Sequence, residues 1–350
     1  MRNLQIVLLP VFAMVTCTAA AQTNTSSNPA VYITYKHLFA DDKPIDLELN
    51  TNFKDLRSQK TKGKEQDCGI VMHLSDSLEI KGKISVYARG GIRRTICNTP
   101  GIMMNFSNIS PDKKDGVKKI KLVCACSLGA ADEQYLLREY MVYRIYNLLT
   151  ELSFRVRLAK VTYMDSRSTK NNYTQYAFMI EDEKDLAKRT GCKEIKKATY
   201  LTEQTQRKQM TMVALFQYMI GNTDWAVPNY HNIRLIRSIT DSTIPPYPVP
   251  YDFDFTGLVN PPNASTAPEL DLESVQERRY RGFPRTIDEL QTVLNIFREQ
   301  KDKIYTLIKT FEPLKPREKD YMLHYLDGFY DQINDPRNVK YLFIDNARRQ

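Results

Sequence analysis

The chain has 350 residues, with 50 Lys and Arg against 41 Asp and Glu, a formal net charge of +9. A chain of this length can bury a full core without staples, as one large domain or two packed bodies. The basic excess is dispersed; its densest runs, Lys113-Lys114 with Lys118-Lys119-Lys121 and residues 193–197, have few interleaved aromatics, so they read as solvated faces and no nucleic-acid partner is expected.

Residues 1–21 carry the pattern of a cleaved export signal: Arg2, an apolar run over 6–15, and Ala19-Ala20-Ala21 before Gln22. The mature chain is therefore expected to be secreted or periplasmic. A lipoprotein through Cys17 is disfavoured, because no Leu stands three positions before it. Residues 22–30 read as a flexible polar leader, and no later apolar run is long enough for a transmembrane span. Five Cys follow the cleavage point, Cys68, Cys97, Cys124, Cys126 and Cys192, and the odd count leaves at least one thiol unpaired in an oxidising compartment. With no CxxC and scattered His residues, zinc is not expected.

Residues 31–35, 44–49, 70–74, 84–88, 102–106 and 119–124 read as strands of a mostly antiparallel sheet. The turn at 89–94 holds Gly90-Gly91 and the cations Arg89, Arg93 and Arg94. A long helix follows, with Asp132-Glu133 suiting its N-terminal dipole and Tyr135, Leu136, Tyr140, Tyr143, Ile145 and Leu148 at helical spacing. Glu139 shares that stripe, which is costly if it is buried unpaired. Strands over 154–164 and 176–180 come next, the second ending at Glu181-Asp182-Glu183. From Gln206 the pattern is helical, and helices over 287–311, 316–334 and 336–346 finish the chain. Sheet first and helices later describe an α+β protein with a cleft between a β-rich lobe (31–183) and a mostly helical lobe (184–350).

The chemistry concentrates in residues 220–257, which read IGNTDWAVPNYHNIRLI, a polar insert, and PPYPVPYDFDFTG. Acid, amide and acid delivered by the two ends of a hairpin suit a divalent metal held against a phosphate: Asp224 as catalytic base, Asn232 and Asp252 as metal ligands. Asn229 has the protein-kinase catalytic-loop spacing from Asp224, but Asn232 is preferred because strand residues follow it at once. Asp254 is either a further metal ligand or a cap for the turn before Gly257. His231 reads as a packing or supporting residue. Trp225 reads as packing between the lobes or as a substrate platform.

The pieces HLFADDKPIDLELN, VYARGGIRRTIC, KLVCAC, YAFMIEDE, GNTDWAVPNYHN and PVPYDFDFTGLVN occur in that order over about residues 38–334. With them the chain resembles the CotH family of exported and spore-coat protein kinases, and more closely a group of exported bacterial proteins allied to it. The resemblance implies a bilobal kinase-like fold whose helical lobe carries the metal-binding hairpin. It also implies ATP or another nucleotide, Mg²⁺ or Mn²⁺, and phosphate transfer to Ser or Thr of a protein or to another envelope acceptor. By position, Asp224 matches the catalytic Asp, and Asn232 and Asp252 the metal-binding pair. Arg89, Arg93 and Arg94 would supply the cations of the nucleotide cleft, and Glu181 would lie beside adenine. The family's Lys in the strand after the Arg-Gly turn is missing, since Gly101-Ile102-Met103-Met104-Asn105 has no cation. Lys121 with Glu139 is the expected substitute pair, and Cys97 with Cys126 the expected bridge. The alternative reading is a catalytically degenerate pseudokinase serving as an envelope binding or scaffold protein; a metal-dependent hydrolase could use the same carboxylates.

Overall fold

The computed structural model describes residues 33–58, 64–91, 93–109, 116–196, 198–266 and 270–348; the expected export signal, the leader and Cys17 lie outside the described residues. Tyr32–Gln350 belongs to one compact unit. The expected first strand is not formed at Ile33 to Tyr35: Thr34 makes a single bridge to Gly116 and caps α1 (Tyr35–Leu38), accepting from the His37 N–H. In β1 (Ile45–Thr51), Ile45, Leu47 and Leu49 are buried, as alternation requires. After α2 (Phe53–Ser58), β2 (Gln66–Ser75) and β3 (Leu78–Arg89) form a long hairpin. The turn at Gly90, with φ at +95°, leads into α3 (Arg93–Ile96), and β4 (Gly101–Asn105) and β5 (Lys119–Cys124) extend the sheet. The helix α4 (Ala130–Leu149) precedes β6 (Val156–Asp165) and β7 (Tyr173–Ile180).

The strands close into a barrel in the order β1-β2-β3-β4-β5-β7-β6. The closing contact is parallel and joins β1 to β6, from Ile45 opposite Ala159 to Thr51 opposite Asp165. This corrects the expected bilobal kinase-like fold with an open, mostly antiparallel sheet: the seven strands form a closed mixed barrel with helices outside it, and only the α+β class stands. The reason is physical. Ile45, Leu47 and Leu49 face the same interior as Ala159, Val161 and Tyr163, so joining the two edges buries both rows and leaves neither edge exposed. On the outer face of β5, β6 and β7, Val123, Leu158, Phe178 and Ile180 join a second core with Tyr140 and Tyr143 of α4. Burial on both faces is why these strands read as nearly continuous apolar runs.

The rest of the chain supplies α5 (Glu183–Arg189), β8 (Cys192–Glu194), α6 (Arg207–Met219), β9 (Ile233–Ser238) and β10 (Tyr247–Pro250), and the last three strands form a small sheet in the order β10-β9-β8. Three helices follow: α7 (Ile287–Thr310), begun by a Thr286–Glu289 capping box, α8 (Pro316–Asn334), begun by its Pro, and α9 (Pro336–Lys340), which runs into a π-helical turn at Tyr341–Asp345. Cys97 and Cys126 form the expected disulfide, tying the end of α3 to the segment after β5. Among the described residues no helix is long and apolar enough to cross a membrane.

Candidate functional site

Residues 220–257 form a closed loop. At the end of α6 Gly221 takes φ +66°, a conformation glycine adopts without strain. The Gly257 N–H donates to the Gly221 carbonyl at 3.2 Å and the Leu258 N–H to that of Ile220 at 3.0 Å. A Cβ on Gly221 would lie 2.1 Å from Tyr325 Oη, and one on Gly257 2.3 Å from it, so both positions need glycine where Tyr325 covers them. Inside the loop β9 pairs with β10, Ile233 opposite Pro250, and the Tyr251 N–H donates to the Asn232 carbonyl at 3.0 Å. Asn232 and Asp252 are thereby held at the same end of the hairpin. Both have positive φ, 51° and 63°, in the region Asn and Asp tolerate best among residues with a side chain.

β10 ends at Pro250, so Asp252 and Asp254 lie beyond the strand, Asp254 at the start of a turn. Phe253 directs them. Its ring is buried, with centroids 4.7 Å from Tyr143 and 5.6 Å from Phe216, while Tyr143 Oη accepts from the Asp252 N–H at 2.8 Å. With the phenyl group in the core, both flanking carboxylates line a cavity of about 230 Å³.

That cavity lies between the hairpin and the outer face of the barrel. The hairpin brings Asp224, Asn232, Asp252 and Asp254; α4 brings Glu139; β3, α3 and β5 bring Arg89, Arg93 and Lys121. Two expected residues are elsewhere. Glu181 is buried outside the lining, its carboxylate bonded to Arg189 at 2.9 and 3.0 Å and to the Arg155 N–H at 3.0 Å. Arg94 is half-buried and does not line the cavity.

The cations come from the strands on either side of β4. Arg89 on β3 stands opposite Gly101, and Lys121 on β5 opposite Met103. A Cβ at Gly101 would sit 3.3 Å from Arg89 Cγ, so the missing side chain leaves room for the guanidinium. Among the described residues no ion pair joins Lys121 to Glu139. The charges that act most on Lys121 are Arg89, Asp182, Arg234 and Glu183, and burial, ahead of Arg89, lowers its pKa. The nearest cations to Glu139 in effect are Arg93 and Arg89.

The opposite wall is acidic. Burial, then Asp254 and Asp252, pushes Glu139 well above the ordinary carboxylate range. Burial, then Asp252, raises Asp254 to about 6, although Arg93 Nη1 lies 3.4 Å from its Oδ2. The two walls have opposite needs: the acids lack positive charge, and Arg89 and Lys121 repel one another until an anion enters.

Asp224 sits at the rim with its side chain 52% exposed, and its orientation is fixed from two sides. His231 Nε2 lies 2.5 Å from Oδ1, and Asn232 Nδ2 donates to Oδ2 at 3.1 Å and to the Asp224 carbonyl at 2.8 Å. The Asn232 amide nitrogen being used on Asp224, its oxygen is the atom left for a metal. Asn229 is a turn residue, accepting from the His231 N–H at 3.3 Å. Trp225 is buried, with Arg281 stacked 5.6 Å from its ring and donating to its carbonyl at 3.1 Å.

Sequence reasoning missed the His231–Asp224 contact and the roles of Glu183, Arg234 and Tyr251 in the lining. A paired bridge between Ala226 and His231 folds the histidine back over Asp224. Its only sequence signal is the Pro228-Asn229 turn between them.

Among the described residues no group of three or more His, Cys, Asp or Glu is disposed to hold a metal ion. The donor set fits a hard cation of the magnesium class nonetheless. Such an ion takes one or two carboxylates and completes its shell with water and substrate phosphate, where zinc would need a cage of protein ligands. Asp252, Asp254 and the Asn232 oxygen are of that kind. No protein-family model matches the chain, and no curated protein matches it either.

Proposed function

We propose that this cavity is a metal-assisted phosphoryl-transfer centre, moving phosphate from a nucleotide such as ATP to a hydroxyl acceptor, a protein Ser or Thr or another envelope component. One observation carries the reading: a single cavity sets Asp252, Asp254 and Asn232 against Arg89 and Lys121, with Asp224 at its rim. The order of motifs shared with the CotH family supports the same chemistry, which does not depend on the fold that carries it.

Each group has a role its surroundings support. Asp224 faces solvent, where an acceptor hydroxyl can reach it, and His231 with Asn232 holds its carboxylate in place to take the hydroxyl proton. Arg89 and Lys121 bind the donor phosphates, relieving their mutual repulsion. Arg93, 3.4 Å from Asp254 and donating to the Cys124 carbonyl at 2.8 Å, offsets part of the negative charge of the acid wall. Magnesium or manganese held by Asp252, Asp254 and the Asn232 oxygen would neutralise the charge that develops on the transferred group.

The test is transfer of label from radiolabelled ATP, with Mg²⁺ or Mn²⁺, to the protein itself or a generic acceptor, alongside melting curves. Wild type should show both transfer and a metal-dependent rise in melting temperature with nucleotide. Asp224→Asn should lose transfer by about 100-fold or more and keep the melting shift. Absence of any shift with nucleotide and either metal would sink the proposal. A shift without transfer by wild type would identify a nucleotide-binding scaffold instead.

A further inference from the structure

A second cavity of about 390 Å³ adjoins the first and shares Arg93, Glu139, Asp254 and Phe255 with it. Its other walls are mostly apolar: Leu136 and Tyr135 from α4, Val259 and Pro261 from the segment after the Asp-Phe-Asp turn, and Ile96 from α3, 57% exposed at the edge. The volume is within the range of small-molecule sites, roughly 300–1,000 Å³.

The charges in this cavity are unequal. Asp132, Glu139 and Asp254 supply three carboxylates against the one guanidinium of Arg93. Arg93 already answers Asp254 at 3.4 Å, and its other nitrogen donates to the Cys124 carbonyl at 2.8 Å. Glu139 is different: it is 3% exposed, and among the described residues it makes neither a hydrogen bond nor an ion pair. A buried carboxylate left in that state costs several kcal/mol, and one that opens onto a cavity is where an incoming group with a positive charge gains most. An anion would be repelled by three carboxylates, and a neutral apolar molecule would leave Glu139 unanswered.

From this cavity, its apolar walls and the unpaired Glu139, we infer that the second cavity binds a primary ammonium compound with a compact apolar or aromatic body. The ammonium group meets Glu139, with Asp132 adding to the field. The body rests on Leu136, Val259 and Pro261, with the rings of Tyr135 and Phe255 beside it. Because Glu139 and Asp254 border both cavities, an occupant here is in electrostatic contact with the first. The site does not require that the first cavity transfer phosphate.

The experiment is isothermal titration of the full chain, in EDTA, with three probes of one shape: 2-phenylethylammonium, 2-phenylethanol and 3-phenylpropanoate. The ammonium probe should bind at least about tenfold more tightly than the alcohol, which corresponds to one charge-assisted hydrogen bond, and the carboxylate probe should not bind. Glu139→Gln, which keeps the shape and removes the charge, should bring ammonium and alcohol within about twofold of each other. Ile96→Trp lies at the exposed edge of the second cavity alone and should weaken both probes without disturbing the core. The inference is overturned if wild type binds alcohol and ammonium equally, if Glu139→Gln keeps the preference, or if Ile96→Trp leaves binding unchanged, since the last result would put the probe in the first cavity. Should Glu139→Gln fail to fold, the wild-type probe series and Ile96→Trp decide the matter.

Discussion

Asp254→Asn tests the electrostatics of the acid wall most directly. Burial first, and the Asp252 carboxylate second, raise Asp254 from the ordinary 3.8 to about 6. A shift of that size corresponds to about 3 kcal/mol against the ionised form. A quarter of the side chain is exposed and Arg93 lies 3.4 Å away, so the expected effect is nearer to 2 kcal/mol, about 3 °C in melting temperature. The sign follows from proton linkage. Between about pH 4 and pH 6 the folded protein keeps a proton on Asp254 that the unfolded chain has lost, so stability falls as pH rises through that window and stays reduced above it. Asparagine cannot ionise. In EDTA the variant should therefore be more stable than wild type at about pH 7.5 and converge with it towards about pH 4.5. Asp185, raised to about 7 at a separate place mainly by burial, acts on both proteins and cancels in the difference. Excess Mg²⁺ with nucleotide at the higher pH should stabilise wild type and do little for the variant. Circular-dichroism melts across this range are the assay. A difference that does not change with pH, or a variant less stable than wild type at the higher pH, would refute the argument, because the Arg93 pair would then outweigh the repulsion from Asp252.

Three further perturbations separate the parts of the site. Lys121→Met should weaken nucleotide binding by about tenfold or more in titration calorimetry, while the melting temperature without ligand holds or rises, since burial already disfavours the ammonium form. Replacing Cys97 and Cys126 by Ser opens a loop with a sequence separation of 29 and should lower stability by about 3 kcal/mol. The same change frees the end of α3, so label transfer should fall through loss of Arg93 placement, and dithiothreitol should mimic it on wild type. Gly221→Ala should cost more than about 2 kcal/mol in denaturant melts, because positive φ and the Tyr325 hydroxyl both oppose a Cβ. Gly191→Ala is its control: it has the same φ of +66° and nothing within 4 Å, so it should show the backbone share alone, about 1 kcal/mol.

The candidate site was legible because its chemistry is local in sequence. Asp224, Asn232, Asp252 and Asp254 fall within one hairpin loop, and strand residues begin right after Asn232. The disulfide forms as the resemblance led one to expect, Cys97 and Cys126 flanking in sequence the β4 stretch that lacks the family's cation. Other features were not legible. Glu181, at the end of an apolar strand, looked available to a ligand, yet Arg189 one helix later takes its carboxylate. Residues 31–35 alternate convincingly, but Thr34 caps a helix rather than entering the sheet.

By itself the sequence determined the alternating row of β1 and the apolar runs of β5 to β7, the apolar stripes of the closing helices and the acid-amide-acid hairpin. Those depend on which residues neighbour one another along the chain. Tertiary structure alone decided that β1 meets β6 and closes the sheet, because an alternating strand has the same pattern at an open edge as inside a barrel. It also decided which cations face the acids. Arg89 and Lys121 reach the cavity through their register on either side of a β4 with no cation of its own, and that register is a property of paired strands, not of either strand alone.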